Sequence, residues 1–255
     1  MSEVVLTAVS DGVATVTLNR PEQMNAISVE LGERLHWELR AAAGDADVIV
    51  VRGNGGNFCV GGDFHELEQL RARGRAAMTP LFANFRAACD VIATLPVPVI
   101  CAVEGYAMAG GFELMQAADI VLIHENAVVA DTHSRFGLIP GGGGSQRLPR
   151  LVGRQRALAH ILSGDRLSAD EVVAWGLAYR TFPAAEFDSG VTEFARRMAA
   201  KDRTALSTIK YLVHAGQHLP LAAGLDLESD AVLDHLSGET AGAGIASFTN
   251  DKGSE

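Results

Sequence analysis

The chain has only three cysteines in 255 residues, Cys59, Cys89 and Cys101. Their spacing fits neither a zinc site nor a redox pair, so reduced thiols in a cytoplasmic protein are expected. His65, His124, His160, His214 and His218 lack metal-ligand spacing, and no metal is expected. Lysine and arginine total 21 against 31 acidic residues, a net charge of −10. Nucleic acid is therefore not the expected partner. No apolar run is long enough to cross a bilayer, so no membrane partner is expected. Met1-Ser2-Glu3 does not begin the basic-then-apolar pattern of a signal peptide. There is no low-complexity linker and no internal repeat. Gly141 to Gly144 is not followed by the Lys-Ser/Thr of a phosphate loop. Its expected role is to aim the next helix's N-terminus at a pocket.

Hydrophobic residues make up 48% of the chain, enough for the core of one sizeable domain. Val4 to Val9 and Val13 to Leu18 read as strands joined by an Asp11-Gly12 hairpin turn. Ser28 is placed to cap a helix running to Ala43, with Leu31, Leu35 and Leu39 at helical spacing. Val48 to Arg52 and Val97 to Val103 are apolar, β-branched runs of the kind found in buried strands. A helix is predicted over Met78 to Thr94, and short strands over Ile120 to Ile123, Val128 to Ala130 and Tyr179 to Phe182. Beyond Gly153 the pattern is mostly helical, including a capping box of Ser168 and Glu171. Strand and helix alternate through the first two-thirds, which indicates an α/β class.

Two glycine-rich turns carry the chemistry. One is Phe58-Cys59-Val60-Gly61-Gly62-Asp63 and the other runs from Gly105 to Leu114; each follows a predicted strand. Glycine permits the sharp turn and lets a ligand approach the peptide N–H groups. Two such turns brought together hold one carbonyl oxygen between two backbone donors, an oxyanion hole. Glu113 lies three residues after Gly110, on the same helix face. A carboxylate there is placed as a general acid/base for carbons beside that carbonyl.

These motifs, in order, resemble the crotonase, or enoyl-CoA hydratase/isomerase, superfamily. The matching stretches are Val16 to Pro21 with Asn25-Ala26, Phe58 to Asp63, Gly105 to Leu114, Phe136 to Pro140 with Gly143 to Leu148, and Gly164-Asp165 with Ala169 and Ala174 to Leu177. The resemblance implies a core of ββα units wound as a spiral (residues 1–195). It further implies a helical C-terminal trimerisation region (196–255) and assembly as a homotrimer or a pair of trimers. It implies an acyl-CoA thioester as substrate, with no other cofactor, and an enolate-like intermediate. The two N–H donors fall on Gly62 and Gly110, and the acid/base on Glu113. Gly61, Asp63, Met24, Ala26, Phe248 and Lys252 are the positions expected near substrate or CoA.

One departure matters. Hydratases of the superfamily use a second glutamate seven residues before the proline that here is Pro140, and this chain has His133 there. Neutral histidine binds water through one nitrogen and exchanges a proton, so it can stand in for part of that function. Asp131 is a candidate partner for His133 or Arg135. Some superfamily hydrolases that cleave diketone carbon–carbon bonds carry histidine at this place. Glu22 removes a basic residue that some relatives hold near CoA. Hydration of a 2-enoyl-CoA is the leading expectation. Hydrolysis or decarboxylation at the same oxyanion hole, or acyl-CoA binding with little turnover, are the alternatives. Arg71, Arg73 and Arg75 read as a solvated helix face, with a CoA phosphate contact as the alternative, and Glu66 to Pro80 as the shaper of the acyl pocket.

Overall fold

The structure is a computed structural model and describes residues 3–238. Its strands are β1 (Val5–Ser10), β2 (Val13–Leu18), β3 (Val48–Gly53), β4 (Val99–Val103), β5 (Tyr106–Met108), β6 (Ile120–His124), β7 (Val128–Ala130), β8 (Leu167–Ser168) and β9 (Arg180–Phe182). The helices are α1 (Val29–Asp45), α2 (Phe64–Ala72), α3 (Arg75–Ile92), α4 (Gly110–Ala117), α5 (Gly144–Val152), α6 (Arg154–Ser163), α7 (Ala169–Ala174), α8 (Phe187–Ala199), α9 (Arg203–Gly216) and α10 (Leu221–Leu236).

The larger sheet has the order β1-β2-β3-β4-β6-β9, antiparallel at β1/β2 and parallel elsewhere. Asp11 and Gly12 take φ of 52° and 73°, the left-handed pair that a tight hairpin needs. The parallel strands are apolar throughout because both faces are covered. Val16, Val51 and Cys101 face α1 and α3, while Val50, Ile100 and Leu122 face Phe187 and Val191 of α8. α1 starts where Ser28 accepts a hydrogen bond from Leu31 N–H (3.0 Å). Its Leu31, Leu35 and Leu39 are fully buried, each contributing about 1.5–3 kcal/mol of transfer free energy.

The smaller sheet, β5-β7-β8, sits where the chain steps out of the larger one. β4 leads into β5 and then α4, and β6 leads into β7. The segment after β3 joins the same layer: Cys59 N–H donates to Tyr106 O and Met108 N–H to Cys59 O, both at 2.9 Å. These three strand-to-strand steps are the expected ββα turns of the spiral. The two glycine-rich turns are therefore adjacent in space although about fifty residues apart in sequence.

The C-terminal helices are present as expected. The residue-195 division falls inside the unbroken helix α8. Lys210 of α9 is buried and ties this helix to the core through Ile92 O (2.6 Å), Val97 O (2.9 Å) and Asp119 (2.7 Å). α10 packs on α9 and buries none of its own residues within the described chain. Among the described residues, no helix is long and apolar enough to cross a membrane.

Candidate active site

A cavity of about 510 Å³ opens between the two glycine turns, α2, α3 and the loop from Thr132 to Gly142. Gly62, Gly110, Glu113 and His133 all line it. Neither Gly62 N–H nor Gly110 N–H finds an acceptor among the described residues. The turns meet closely enough to exclude side chains. Gly61 has φ +98°, and a Cβ there would lie 2.8 Å from Ala109 Cβ and 3.2 Å from Gly110 N. A Cβ on Gly110 would meet Ile27 Cδ1 at 2.5 Å. Ala109 itself holds φ +46°, a strained conformation for a residue with a Cβ, at a cost of about 1–3 kcal/mol. It is kept there by its N–H bond to Ala130 O (2.9 Å) in β7. The strain sets the direction of the next peptide, whose N–H belongs to Gly110.

Glu113 is 1% exposed and sits in the first turn of α4. Its Oε1 accepts from Gly142 N–H and Gly144 N–H, both at 2.8 Å. The glycine quartet therefore presents the N-terminus of α5 to a carboxylate of the same chain, a favourable electrostatic arrangement. Glycine is required at these contacts: a Cβ on Gly142 would fall 2.4 Å from Phe85 Cε1, and one on Gly144 would fall 3.1 Å from Glu113 Oε1. Arg147 fastens the turn by donating to Gly142 O (2.6 Å) and Asp90 (2.5 Å). Burial pushes the Glu113 carboxyl up, while the Gly144 N–H, the His133 charge and the Gly142 N–H pull it down. The net position lies above the ordinary carboxyl range.

His133 lies across from the free oxygen of Glu113, with Nε2 at 3.9 Å from Oε2. That is too long for a direct hydrogen bond and suits a bridging water. Its Nδ1–H donates to Asp131 Oδ1 at 2.7 Å, and its backbone N–H reaches the same oxygen at 3.2 Å. Asp131 is fully buried, so the pairing orients the ring and leaves the Nε2 lone pair toward Glu113 when the ring is neutral. Burial lowers the pKa of His133, but the Asp131 hydrogen bond and charge, with the Glu113 charge, outweigh it. The ring titrates above the ordinary histidine value. Asp131 N–H in turn donates to Nε2 of buried His160 (3.1 Å), which fixes His160 as an acceptor. Burial lowers the pKa of that ring, in keeping with a neutral imidazole.

The other expected positions fall around the site rather than in it. Asp63 caps α2 through His65 N–H (3.0 Å) and Glu66 N–H (3.1 Å) and pairs with Arg20 (2.8 Å). Arg20 also donates to Ala26 O, so this residue ties the Arg-Pro turn to the first glycine turn. Ala26 is buried, Met24 is exposed, and neither lines the cavity. Phe248 and Lys252 lie outside the described residues. Two further residues take parts that the sequence did not assign to them. Asn25, fully buried with φ +57°, bonds Arg20 N–H, Asn54 O and Asn57 O and so braces the loop leading to Phe58. Arg71, read from the sequence as solvated, lines the cavity wall.

The chain is similar to known proteins over nearly its whole length. Residues 8–253 match the family described as enoyl-CoA hydratase/isomerase. A probable enoyl-CoA hydratase of Rhodobacter capsulatus is 35% identical over 221 residues, 87% of this chain and 85% of that protein. A 1,2-epoxyphenylacetyl-CoA isomerase of Escherichia coli is 32% identical, covering 97% of this chain and 96% of its own. The crystal structure of an enoyl-CoA hydratase from Polaromonas sp. superimposes with a TM-score of 0.93 at 31% identity, over 97% of both chains.

Proposed function

The chain belongs to the enoyl-CoA hydratase/isomerase family, and on that premise we propose that it hydrates 2-enoyl-CoA thioesters to 3-hydroxyacyl-CoA. The observation that carries this reading is the facing pair of Glu113 Oε2 and His133 Nε2, 3.9 Å apart, at a cavity that also exposes Gly62 and Gly110. The thioester oxygen accepts from the N–H groups of Gly62 and Gly110. A water sits between Glu113 and His133 and donates one hydrogen bond to the neutral His133 ring. As the water oxygen bonds the β-carbon, its second proton passes to Glu113 Oε2. The alkene electrons move onto the thioester oxygen, giving an enolate held by the two backbone donors. Glu113 then returns the proton to the α-carbon, the carbonyl reforms, and the thioester is intact. Asp131 keeps Nε2 in the acceptor tautomer, and no cofactor beyond the CoA carried by the substrate takes part.

Assembly as a trimer or a pair of trimers belongs to the same reading. It is supported by the exposed apolar side chains of α9 and α10, among them Ile209, Tyr211, Val213, Leu225 and Leu233. Sedimentation at the mass of one chain overturns that part.

The reaction is tested by following the ultraviolet absorbance of 2-enoyl-CoA thioesters of several chain lengths, with mass spectrometry of the products. Addition of one water with retention of the thioester is expected. Release of free CoA thiol, loss of carbon dioxide, or no turnover with any chain length overturns the proposal. The first two results select the hydrolase and decarboxylase alternatives.

A further inference from the structure

α2 and α3 form a V whose arms meet at Gly74. Phe64, Leu67 and Arg71 line the cavity from α2 at spacings of three and four, one face of the helix. Met78, Leu81, Phe82 and Phe85 line it from α3 in the same manner. Both rows begin at the reacting end. Phe64 follows the Gly62 turn directly, and Phe85 lies under Gly142, against which Glu113 rests. Both rows end at the corner, on Arg71 and Met78. Seven residues of helix put Arg71 about 10 Å beyond Phe64. Every other side chain along these two rows is apolar, so the wall suits an alkyl chain and ends at Arg71, whose side chain is exposed.

That cation has no carboxylate partner among the described residues, and neither do Arg73 and Arg75 beside it. In a chain of net charge −10, the arginines Arg71, Arg73 and Arg75 outnumber Glu66 and Glu68 of the same segment, a local positive excess that favours an anion at this corner. A guanidinium fork binds a carboxylate through two parallel hydrogen bonds, and a chain ending in methyl leaves it without an acceptor.

We propose that Arg71 makes the acyl site selective for thioesters whose acyl chain ends in a carboxylate, the dicarboxylic monothioesters. This deepens the reading of the same site as an acyl-CoA site. Its test is independent of the reaction because it uses saturated ligands that have no double bond to hydrate. Binding is measured by calorimetry for matched pairs: hexanoyl-CoA against adipoyl-CoA, and octanoyl-CoA against suberoyl-CoA. Wild type is expected to favour the carboxylated member of at least one pair by about tenfold or more, the worth of one charge-assisted hydrogen bond. Arg71→Leu removes that preference and tightens binding of the alkyl member. Arg71→Lys keeps part of it, and Arg73→Leu leaves it in place. Equal weakening of both members by Arg71→Leu assigns the arginine to CoA phosphates and overturns the proposal. So does an unchanged preference, or no preference in wild type. Binding selectivity without turnover of any enoyl thioester leaves this inference standing and removes the hydration reading instead.

Discussion

At the end of the cavity where the reaction is proposed, backbone groups and the side chains of Glu113 and His133 line the wall. Gly62 and Gly110 present N–H groups, Gly142 and Gly144 grip Glu113, and Asp131 holds His133. Along α2 and α3 the backbone is ordinary helix, and only side-chain bulk and the charge of Arg71 face the ligand. The first region is crowded at three of its glycines, because Cβ groups at Gly61, Gly110 or Gly142 would fall within 3.0 Å of neighbours, whereas a Cβ on Gly62 would meet nothing within 4 Å. The second tolerates exchange of one apolar residue for another. The contrast separates two demands, a fixed geometry for bond making and a variable shape for recognition.

The contrast is broken most directly at Glu113. Glu113→Gln keeps the shape and the hydrogen bonds to Oε1 but removes the proton acceptor. In the hydration assay kcat should fall by about 10²- to 10⁴-fold for every acyl chain, with little change in ligand binding. A uniform loss is the signature of the reacting end; a loss confined to some chain lengths would erase the distinction. Asp131→Asn should act next in size, lowering the plateau rate by about tenfold for the loss of one charge-assisted hydrogen bond. It should also move the pH profile. Activity needs the neutral His133 ring and is lost as pH falls through its raised pKa. Removing Asp131 takes away the main cause of that rise, so the acid limb of kcat/KM shifts to lower pH. An acid limb that stays in place would leave His133 outside the reaction. The wall gives the smallest effect. Phe82→Ala enlarges the cavity next to Gly141, and should shift preference toward longer or bulkier chains by a few-fold, about 1 kcal/mol, with kcat for the shortest chain unchanged. Rates across an acyl-CoA length series would show it, and a kcat loss with every chain would join Phe82 to the reacting end.

The same division explains what was legible in the sequence. Backbone-built features leave glycine signatures, so the two glycine-rich turns, the helical position of Glu113 and the helix entered from the Gly141 to Gly144 run were legible from residues alone. The buried parallel strands were equally clear, since coverage on both faces makes Val48 to Arg52 and Val97 to Val103 continuously apolar. α2 had no legible period because Phe64 and Leu67 face the cavity while Leu70 faces the core, which splits its apolar residues between two faces. α3 begins at Arg75 rather than Met78. Pro80 suggests a start close to it, yet it is accommodated inside the helix. β5 and β8 are three and two residues long, defined by their neighbours rather than by any run of their own. The partner of Asp131 was left between His133 and Arg135, which local sequence cannot rank. Burial settles it: Asp131 is enclosed and needs a partner, whereas Arg135 is exposed.

The grip of α5 on Glu113 has one more consequence. With Oε1 permanently engaged by two peptide donors, the carboxylate does not rotate, and only Oε2 is free. On the proposed reading, water and proton then reach the double bond from a single side. The handedness of the hydroxyl-bearing carbon would be decided by Gly142 and Gly144, acting through their grip on the carboxylate.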